Sequence, residues 1–377
     1  MKSCSVVFNE GSWSDATIEL SDHSFAILFA DRIILERPDA TQAFLKKFPH
    51  TRLISCSSAG EILGKSVKDS SVIATIVDFE KTTFSFVTGN IRDYKNSVEL
   101  GKDLASQLDQ NGLKYVMVIS DGNLINGDAM VDGLHTVLSR NIVVSGGLAG
   151  DAARFQKTLV GLDNQIEEGN VVLLGLYGNH LRVSTGVSGG WDPFGPERTI
   201  TKSKGSMLME IDGSNALELY KKYLGKYADE LPASALLFPM SVQMGDNDAY
   251  IVRTILSIDE DKGTMKFAGT MPEGAKVRFM KSNPDRLIDA ALTAGTQATD
   301  RIKKEDCSLA LIVSCVGRKL VLADRIEEEV EAVTEELLSH TSVTGFFSYG
   351  EIAPQENSVR SQLHNQTITV TLFSETL

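Results

Sequence analysis

The chain has 377 residues, of which 42% are hydrophobic and 23% charged, enough apolar material to bury a large core in two domains or one big one. Its formal net charge of −13 opposes nonspecific binding to phosphate backbones, so nucleic acid is not an expected partner. No apolar run has the length that a membrane helix needs, and the N-terminus lacks a signal-peptide pattern. We therefore expect a cytoplasmic protein without membrane association.

The first half of the sequence predicts strands that alternate with helices. Apolar or alternating runs indicate strands at residues 25–29, 51–55, 72–79, 83–88, 115–120 and 142–145. Apolar residues at helical spacing indicate helices at residues 41–47, 94–108 and 128–138. This alternation favours a mixed α/β architecture, with helices flanking central sheets.

The strongest break in the chain is the stretch from residue 189 to 196, which is rich in glycine and proline. We place a domain boundary there, which divides the chain into residues 1–190 and 191–377. Long alternating runs at residues 250–258 and 367–373 in the second domain predict antiparallel additions to the sheets.

The second half repeats the plan of the first half. In each, a strand ending in Asn precedes a helix, a strand closing on Ser, a second helix and a strand that runs into glycine. The matching positions are Asn90 and Asn283, Ser120 and Ser314, the helices at 128–138 and 324–338, and the segments 146–151 and 345–351. The segment 56–61 resembles the last pair as well. We infer two related α/β domains that arose by internal duplication.

Glycine turns after strands are the first candidates for a ligand site, because small residues let a ligand approach backbone amides. A glycine followed by an acid recurs at Gly60–Glu61, Gly150–Asp151 and Gly350–Glu351. Turn formation alone explains each glycine, and none of these segments matches a phosphate-binding loop, but the recurrence favours a site. The candidate residues are Cys56, Ser57, Gly60, Glu61, Gly147, Gly150, Asp151, Tyr349, Gly350 and Glu351.

Cys315 and Arg318 follow a predicted apolar strand, at the end where open α/β sheets bind ligands. Arg318 is a candidate for a bidentate contact to an anion, and the alternative is a buried Cys beside a surface Arg. A thiol nucleophile needs a neighbouring base, and the sequence identifies none. We therefore do not predict an enzyme; one that uses Cys315 or a carboxylate such as Glu351 is the last-ranked alternative.

His364 stands at the entry to the last predicted strand, where period-two alternation places it on the apolar face with Ile368 and Val370. A histidine directed at a core needs a partner for its ring nitrogens, and that partner can be protein, ligand or metal. A protein partner is the favoured interpretation. Asn365 beside it is a further candidate ligand residue.

Segments in both halves resemble those of the FIST family, as an N-terminal FIST domain followed by a C-terminal one. They occur in the family's order and together span nearly the whole chain, at residues 56–62, 146–151, 190–196, 314–318, 346–352 and 363–367. No single motif is decisive, but six in order make a specific match.

The resemblance implies an intracellular sensory module that binds a small ligand, such as an amino acid or small anion, and signals to a separate partner. A subset of similar proteins binds haem, senses nitric oxide and regulates a histidine kinase in two-component signalling. By that resemblance, His364 is the candidate axial ligand of a haem, which would be noncovalent because the sequence has no Cys-x-x-Cys-His motif. Formation of an oligomer is compatible with the sequence.

Overall fold

The computed structural model describes residues 1–21, 23–231, 233–243, 250–302, 306–355 and 360–376. Within these ranges, one strand plan occurs three times, and a further sheet is inserted into the third copy. In each unit a first strand precedes a second strand, a helical segment, a third strand, a hairpin and a last strand. The second and third units also have a helix between the first and second strands.

The first unit comprises β1 (Lys2–Asn9), β2 (Ser12–Trp13), β3 (Ser24–Asp31), α1 (Arg32–Leu35), α2 (Asp39–Lys47), β4 (Arg52–Ser58), β5 (Glu61–Leu63), β6 (Ser66–Lys68) and β7 (Val72–Asp78). The second unit comprises β8 (Thr83–Asn90), α3 (Ser97–Gln107), β9 (Leu113–Ser120), α4 (Gly127–His135), β10 (Val143–Leu148), β11 (Val160–Leu162), β12 (Gln165–Glu167) and β13 (Asn170–Tyr177).

The third unit begins with β14 (Leu181–Ser188) and is then interrupted by the inserted sheet. The insert comprises β15 (Asp192–Lys204), β16 (Met207–Ile211), β17 (Ser214–Asn215), α5 (Ala216–Leu224), β18 (Met240–Gln243), β19 (Tyr250–Arg253), β20 (Ile255–Asp259), β21 (Thr264–Phe267) and β22 (Lys276–Lys281). The third unit resumes with α6 (Pro284–Thr299), β23 (Leu309–Cys315), α7 (Val316–Leu322), α8 (Ile326–Thr334), β24 (Ser342–Ser348), β25 (Gly350–Pro354), β26 (Ser361–His364) and β27 (Ile368–Glu375).

Each hairpin pairs with the third strand of a different unit, so the three units interlock. The hairpin β5–β6 joins the sheet of the third unit beside β24, and the hairpin β11–β12 joins the sheet of the first unit beside β4. The hairpin β25–β26 joins the sheet of the second unit beside β10. The sheet orders are β12-β11-β4-β3-β7-β1-β2, β26-β25-β10-β9-β13-β8 and β14-β27-β23-β24-β5-β6. Each sheet therefore needs strands from two units.

The inner faces of the three sheets meet in one apolar core. Phe29 of the first unit stacks on Phe346 of the third, with ring centroids 4.7 Å apart. Tyr115 of the second unit meets Phe373 of the third edge-on at 5.1 Å. The outer faces are covered by α2 on the first sheet, α3 and α4 on the second, and α6 and α8 on the third. Central strands buried on both faces explain the apolar runs seen in the sequence.

The second and third strands of every unit run parallel, so their carboxyl ends lie at the same edge of each sheet. The turns that follow these strands converge in a ring of backbone hydrogen bonds: Ala59 N donates to Phe347 O (2.8 Å), Gly150 N to Ser57 O (2.9 Å) and Tyr349 N to Leu148 O (3.1 Å). We call this ring of turns the junction. The repeated glycine segments therefore mark the place where three units join.

The mixed α/β prediction is confirmed, and the repeat extends to a third unit. The prediction of a single strand at residues 250–258 is wrong. The strand is interrupted at Thr254, and β19 and β20 lie in different parts of the inserted sheet. Residue 190, where we placed a domain boundary, lies between β14 and the first inserted strand. Among the described helices, none combines the length and apolar character needed to cross a membrane.

Candidate functional site

The inserted sheet lies over the junction and leaves a cleft of about 450 Å³ between itself and the three-unit body. The body side includes Asn123, Leu124, Leu148, Phe155, Cys315 and Tyr349. The insert side includes Ser206, Leu236, Thr254, Leu256, Ser257 and Lys266. The volume is typical of small-molecule sites, which span about 300 to 1,000 Å³.

Lys266 gives this cleft a positive charge. It is an exposed residue of β21, paired across the strands with Ser257. Among the described residues that line the cleft, none is an Asp or Glu. In a chain with a net charge of −13, a cleft with one ammonium and no lining carboxylate favours an anionic ligand.

Thr254 provides a hydroxyl without a protein partner. The residue is 5% exposed and lines the cleft, and its Oγ1 has no hydrogen-bond partner within the described part of the chain. Buried polar atoms are normally hydrogen-bonded, because leaving one unpaired costs about 1 to 3 kcal/mol. A ligand or water in the cleft is the natural partner for this hydroxyl.

The loop after Asp151 shapes the body side of the cleft. Asp151 is buried, and its Oδ1 accepts from Arg154 Nε (2.6 Å) and Arg32 Nε (3.1 Å). Its Oδ2 accepts from the backbone N–H groups of Gln156 (3.3 Å) and Lys157 (3.2 Å). Burial acts to raise the pKa of Asp151, but the hydrogen bonds from Arg154 and Arg32 outweigh it and hold the pKa below its ordinary value. An ionised carboxylate therefore organises this loop.

This loop carries Phe155 into the cleft. Phe155 and Ala152 both have left-handed backbone, with φ of 51° and 50°, which is unfavourable for residues with a side chain. The Phe155 ring stacks on Tyr349 at 4.7 Å, while the Tyr349 hydroxyl accepts from Phe155 N (3.1 Å) and donates to Ala152 O (3.2 Å). Local strain of this kind is concentrated at ligand sites. Tyr349, a predicted site residue, thus both lines the cleft and fixes the loop.

Cys315, a second predicted residue, also lines the cleft and is 2% exposed. Burial and the charge of Glu351 raise the pKa of its thiol far above the ordinary value, although the backbone N–H groups of Gly317 and Gln366 act in the opposite direction. A thiol held in the neutral form is a poor nucleophile. Its place in the cleft is suited to ligand contact.

Glu61 and Glu351 do not face the cleft but fasten the junction. Glu61 Oε1 accepts from Ser58 Oγ (2.5 Å), and Glu351 Oε1 accepts from Ser348 Oγ (2.6 Å), so the two units share one motif. The second carboxylate oxygen binds the segment leading into the last strand, through Ser71 N in the first unit and Thr367 N in the third, both at 3.1 Å.

The second unit departs from this pattern. Asp121, not Asp151, accepts from the segment before the last strand, through Gly169 N at 3.1 Å. Leu148 replaces the serine of the motif and lines the cleft. Asp151 is therefore free to organise the Phe155 loop, and the break in the repeat coincides with the cleft.

The other glycine-turn residues serve packing at the junction. Cys56 is fully buried, and Ser57 Oγ donates to Gly150 O (2.8 Å). A Cβ on Gly147 would lie 2.7 Å from Val313 Cγ1, and a Cβ on Gly150 would lie 2.8 Å from Ala59 N. The same holds at the other two glycines, with Lys319 Nζ 2.5 Å from a Cβ at Gly60 and Leu363 Cδ1 2.9 Å from one at Gly350. At Gly147, Gly150 and Gly60 the nearest atom belongs to another unit, whereas Leu363 belongs to the same unit as Gly350. All four positions leave little room for a side chain.

Arg318 is fully buried, and each of its guanidinium nitrogens donates to the protein. Nε binds Glu329 Oε1 (2.6 Å), Nη1 binds Gly189 O (2.5 Å) and Nη2 binds Leu287 O (2.8 Å). A bidentate contact to a ligand would require these bonds to break. Arg318 anchors the entrance to the insert instead.

His364 is buried at the end of β26, and its Nε2 lies 3.1 Å from Ala353 O in the paired strand. The predicted alternation through to Ile368 is wrong, because Gln366 adopts φ of 61° and the chain passes into a different sheet. Burial lowers the pKa of His364 to about 4, and the charge of Arg253 adds to this. The histidine is therefore neutral at physiological pH.

A haem at His364 does not fit this arrangement. His364 does not line the cleft, and ligation through Nε2 would require its hydrogen bond with Ala353 O to break. Asn365 beside it is fully buried, with no hydrogen-bond partner for either side-chain polar atom among the described residues; a Cβ at Gly350 would lie 3.4 Å from its Nδ2. Haem binding stays a prediction from the family resemblance.

The fold and the cleft define a mixed α/β protein of three interlocked units with a ligand-sized site under an inserted sheet. The FIST N domain model matches residues 24–214, and the FIST C domain model matches residues 216–354. The chain belongs to the FIST family, whose domains are sensory domains that bind small ligands.

Relatives with similar sequences include three uncharacterised proteins. One from Methanocaldococcus jannaschii is 25% identical over 367 residues, covering 84% of this chain and 68% of the relative. One from Mycobacterium bovis and one from Mycobacterium tuberculosis are each 22% identical over 360 residues, covering 93% of this chain and 90% of theirs. A cyanuric acid hydrolase structure from A. caulinodans aligns with a TM-score of 0.22 and 9% identity over 78% of this chain and 67% of that one, too low to carry an argument.

Sequence reasoning missed the insert side of the cleft. Lys266 lies on the short strand β21 and Thr254 between β19 and β20, and in the sequence both look like ordinary surface residues. Phe155 was missed because a left-handed backbone at Phe has no sequence signal. A usable signal was Leu148, where the serine found at positions 58 and 348 is replaced.

Proposed function

We propose that this protein is a sensor that binds a small organic anion in the cleft under the inserted sheet and signals its occupancy to a separate protein. The observation that carries the proposal is the composition of the cleft wall: in the described part of the chain, Lys266 has no lining carboxylate beside it and the Thr254 hydroxyl has no hydrogen-bond partner. An anionic group fits between these two residues and Ser257. The remainder of the ligand packs on Leu124 and Tyr349.

The connection between insert and body supports signalling by domain movement. The chain enters and leaves the insert through adjacent segments, where Ser282 Oγ donates to Gly190 O (2.6 Å) and Asp192 pairs with Lys281. Gly190 has φ of 75°, and a Cβ there would lie 2.4 Å from Arg286 O. Such a narrow connection suits a hinge.

Specific contacts hold the insert on the body. Arg253 Nη2 donates to both carboxylate oxygens of Asp128 (3.0 and 2.9 Å), and its Nη1 donates to Leu363 O (2.9 Å). Gln366 Nε2 donates to Leu236 O in the cleft wall (3.3 Å). A ligand that contacts both sides favours one placement of the insert, and the sensor works if the ligand binds that placement more tightly. We propose that a cytoplasmic signalling protein such as a histidine kinase reads this placement.

The proposal is tested by calorimetric titration of the full chain with acetate, butanoate, hexanoate, benzoate, leucine, phenylalanine and glutamate. We expect at least one of these carboxylates to bind, and Lys266→Met to weaken that binding about tenfold or more, since charge-assisted hydrogen bonds contribute about 1.5 to 3 kcal/mol. Lys114→Met is the matched control, because Lys114 is also an exposed strand lysine but lies outside the cleft. Equal affinities in both variants would refute the proposed site.

A further inference from the structure

A second, apolar groove adjoins the cleft. It has a volume of about 460 Å³ and shares Phe155, Leu236 and Leu256 with the cleft, so the two lie side by side at these residues. The rest of its lining includes Leu237, Ile255 and Leu320. We call it the apolar groove.

Exposed apolar side chains are concentrated around these two depressions. Large hydrophobic residues with high exposure include Leu124 (48%), Leu256 (44%), Leu320 (42%) and Phe155 (40%), and all four line the cleft or the apolar groove. Isolated exposed apolar residues are normal on protein surfaces, but a contiguous set marks a binding surface.

The distribution of charge determines what this surface suits. In the described lining of the apolar groove, the ionic residue is Glu230. The Ser234 hydroxyl donates to Tyr227 O (2.7 Å). An anion is therefore disfavoured in the groove and favoured in the cleft beside Lys266. The two depressions together are complementary to a molecule with an anionic head and an apolar tail.

We infer that the ligand is an amphipathic carboxylate, with its head at Lys266 in the cleft and an acyl chain that crosses Phe155 and Leu256 into the apolar groove. The strained Phe155 backbone fits this role, because the loop fixed by Asp151 and Tyr349 holds the ring at the boundary that the chain crosses. The inference rests on the proposed function and specifies the ligand class of that site.

The test measures, by isothermal titration calorimetry, the affinity of the full chain for butanoate, hexanoate, octanoate and decanoate. Each fully buried methylene strengthens binding about fourfold, so we expect affinity to rise steeply along the series. Leu320→Ser, which alters the apolar groove alone, should flatten the rise for the longer acids and leave butanoate unchanged. Leu292→Ser is the matched control, because Leu292 is an exposed helix leucine outside both depressions. Lys266→Met should weaken every member by a similar factor, and octylamine should not bind.

The outcomes separate the two proposals. Binding that depends on Lys266 but does not strengthen with chain length would overturn the acyl site and leave the anion sensor intact. A series that is unaffected by Leu320→Ser would also overturn the acyl site. If every acid bound the parent and Lys266→Met with equal affinity, the proposed function itself would be refuted. Self-association seen by sedimentation in the parent and lost in Leu320→Ser would assign the apolar groove to a second copy of the chain.

Discussion

Glu351 illustrates what sequence reasoning reaches at the level of single residues. Its recurrence with glycine predicted importance, and the structure shows a buried carboxyl group that accepts hydrogen bonds from Ser348 and Thr367. The sequence could not show whether the acid faces a ligand or the junction, because that depends on which way the turn directs its side chain. The same limit applied to Arg318, whose partners Gly189, Leu287 and Glu329 come from distant parts of the chain.

The buried state of Glu351 predicts a specific pH dependence of stability. Burial raises its pKa to about 8, above the ordinary 4.5, so the folded protein holds this proton more tightly than the unfolded chain does. The stabilisation from the protonated form is complete below about pH 4.5 and is lost as the pH rises through about 8. Glu351→Gln should remove this loss, which amounts to at most about 1.4 kcal/mol per pH unit.

The measurement is the free energy of urea unfolding of parent and variant from pH 5 to pH 9. Glu375→Gln is the control whose difference from the parent should stay constant over this range, because hydrogen bonds from Glu80, Thr82 and Lys81 outweigh burial and lower the pKa of Glu375 to about 2. Its contribution is present above pH 4.5 and is lost only as the pH falls towards 2. A difference between parent and Glu351→Gln that does not change with pH would contradict the buried assignment.

At the level of elements, the sequence predicted individual strands and helices better than their partners. The strands near residues 25–29, 72–79 and 115–120 are confirmed by β3, β7 and β9, because continuous apolar runs are typical of buried strands. The hairpins that pair with a different unit, by contrast, are short and leave little periodic signal in the sequence. Their pairing partners lie far away in sequence, so local patterns carry no information about them.

The contact between α4 and the insert is another such long-range feature, and it yields a stability prediction. Arg253 is 1% exposed and pairs with Asp128, so Asp128→Asn leaves a buried guanidinium without its counter-charge. We expect a loss of about 3 kcal/mol in the free energy of unfolding. Asp132→Asn on the same helix is the control: its pair with Arg360 is exposed, and exposed pairs contribute about 0 to 1 kcal/mol. Urea unfolding that gives equal losses for both variants would show that the Arg253 contact does not fix the insert.

At the scale of the whole molecule, the three-unit plan explains both the repeats and the location of the site. Interlocked hairpins hold the turns together at the junction, and the insert in the third unit covers that junction. The repeat could be predicted because glycine and acid recur after strands. The cleft could not, since it is formed by a loop of the second unit and an insert of the third, which have no pattern in common.

The central claim is that an organic anion binds between the insert and the junction. The most direct test is amide hydrogen exchange of the full chain with and without hexanoate at the concentration that half-saturates the parent, repeated at that concentration for Lys266→Met. We predict slower exchange on both sides of the cleft, in residues 122–126 and 153–157 of the body and 254–268 of the insert, and no such change in the variant. Slower exchange on one side alone, at a different place, or equally in Lys266→Met would contradict the account.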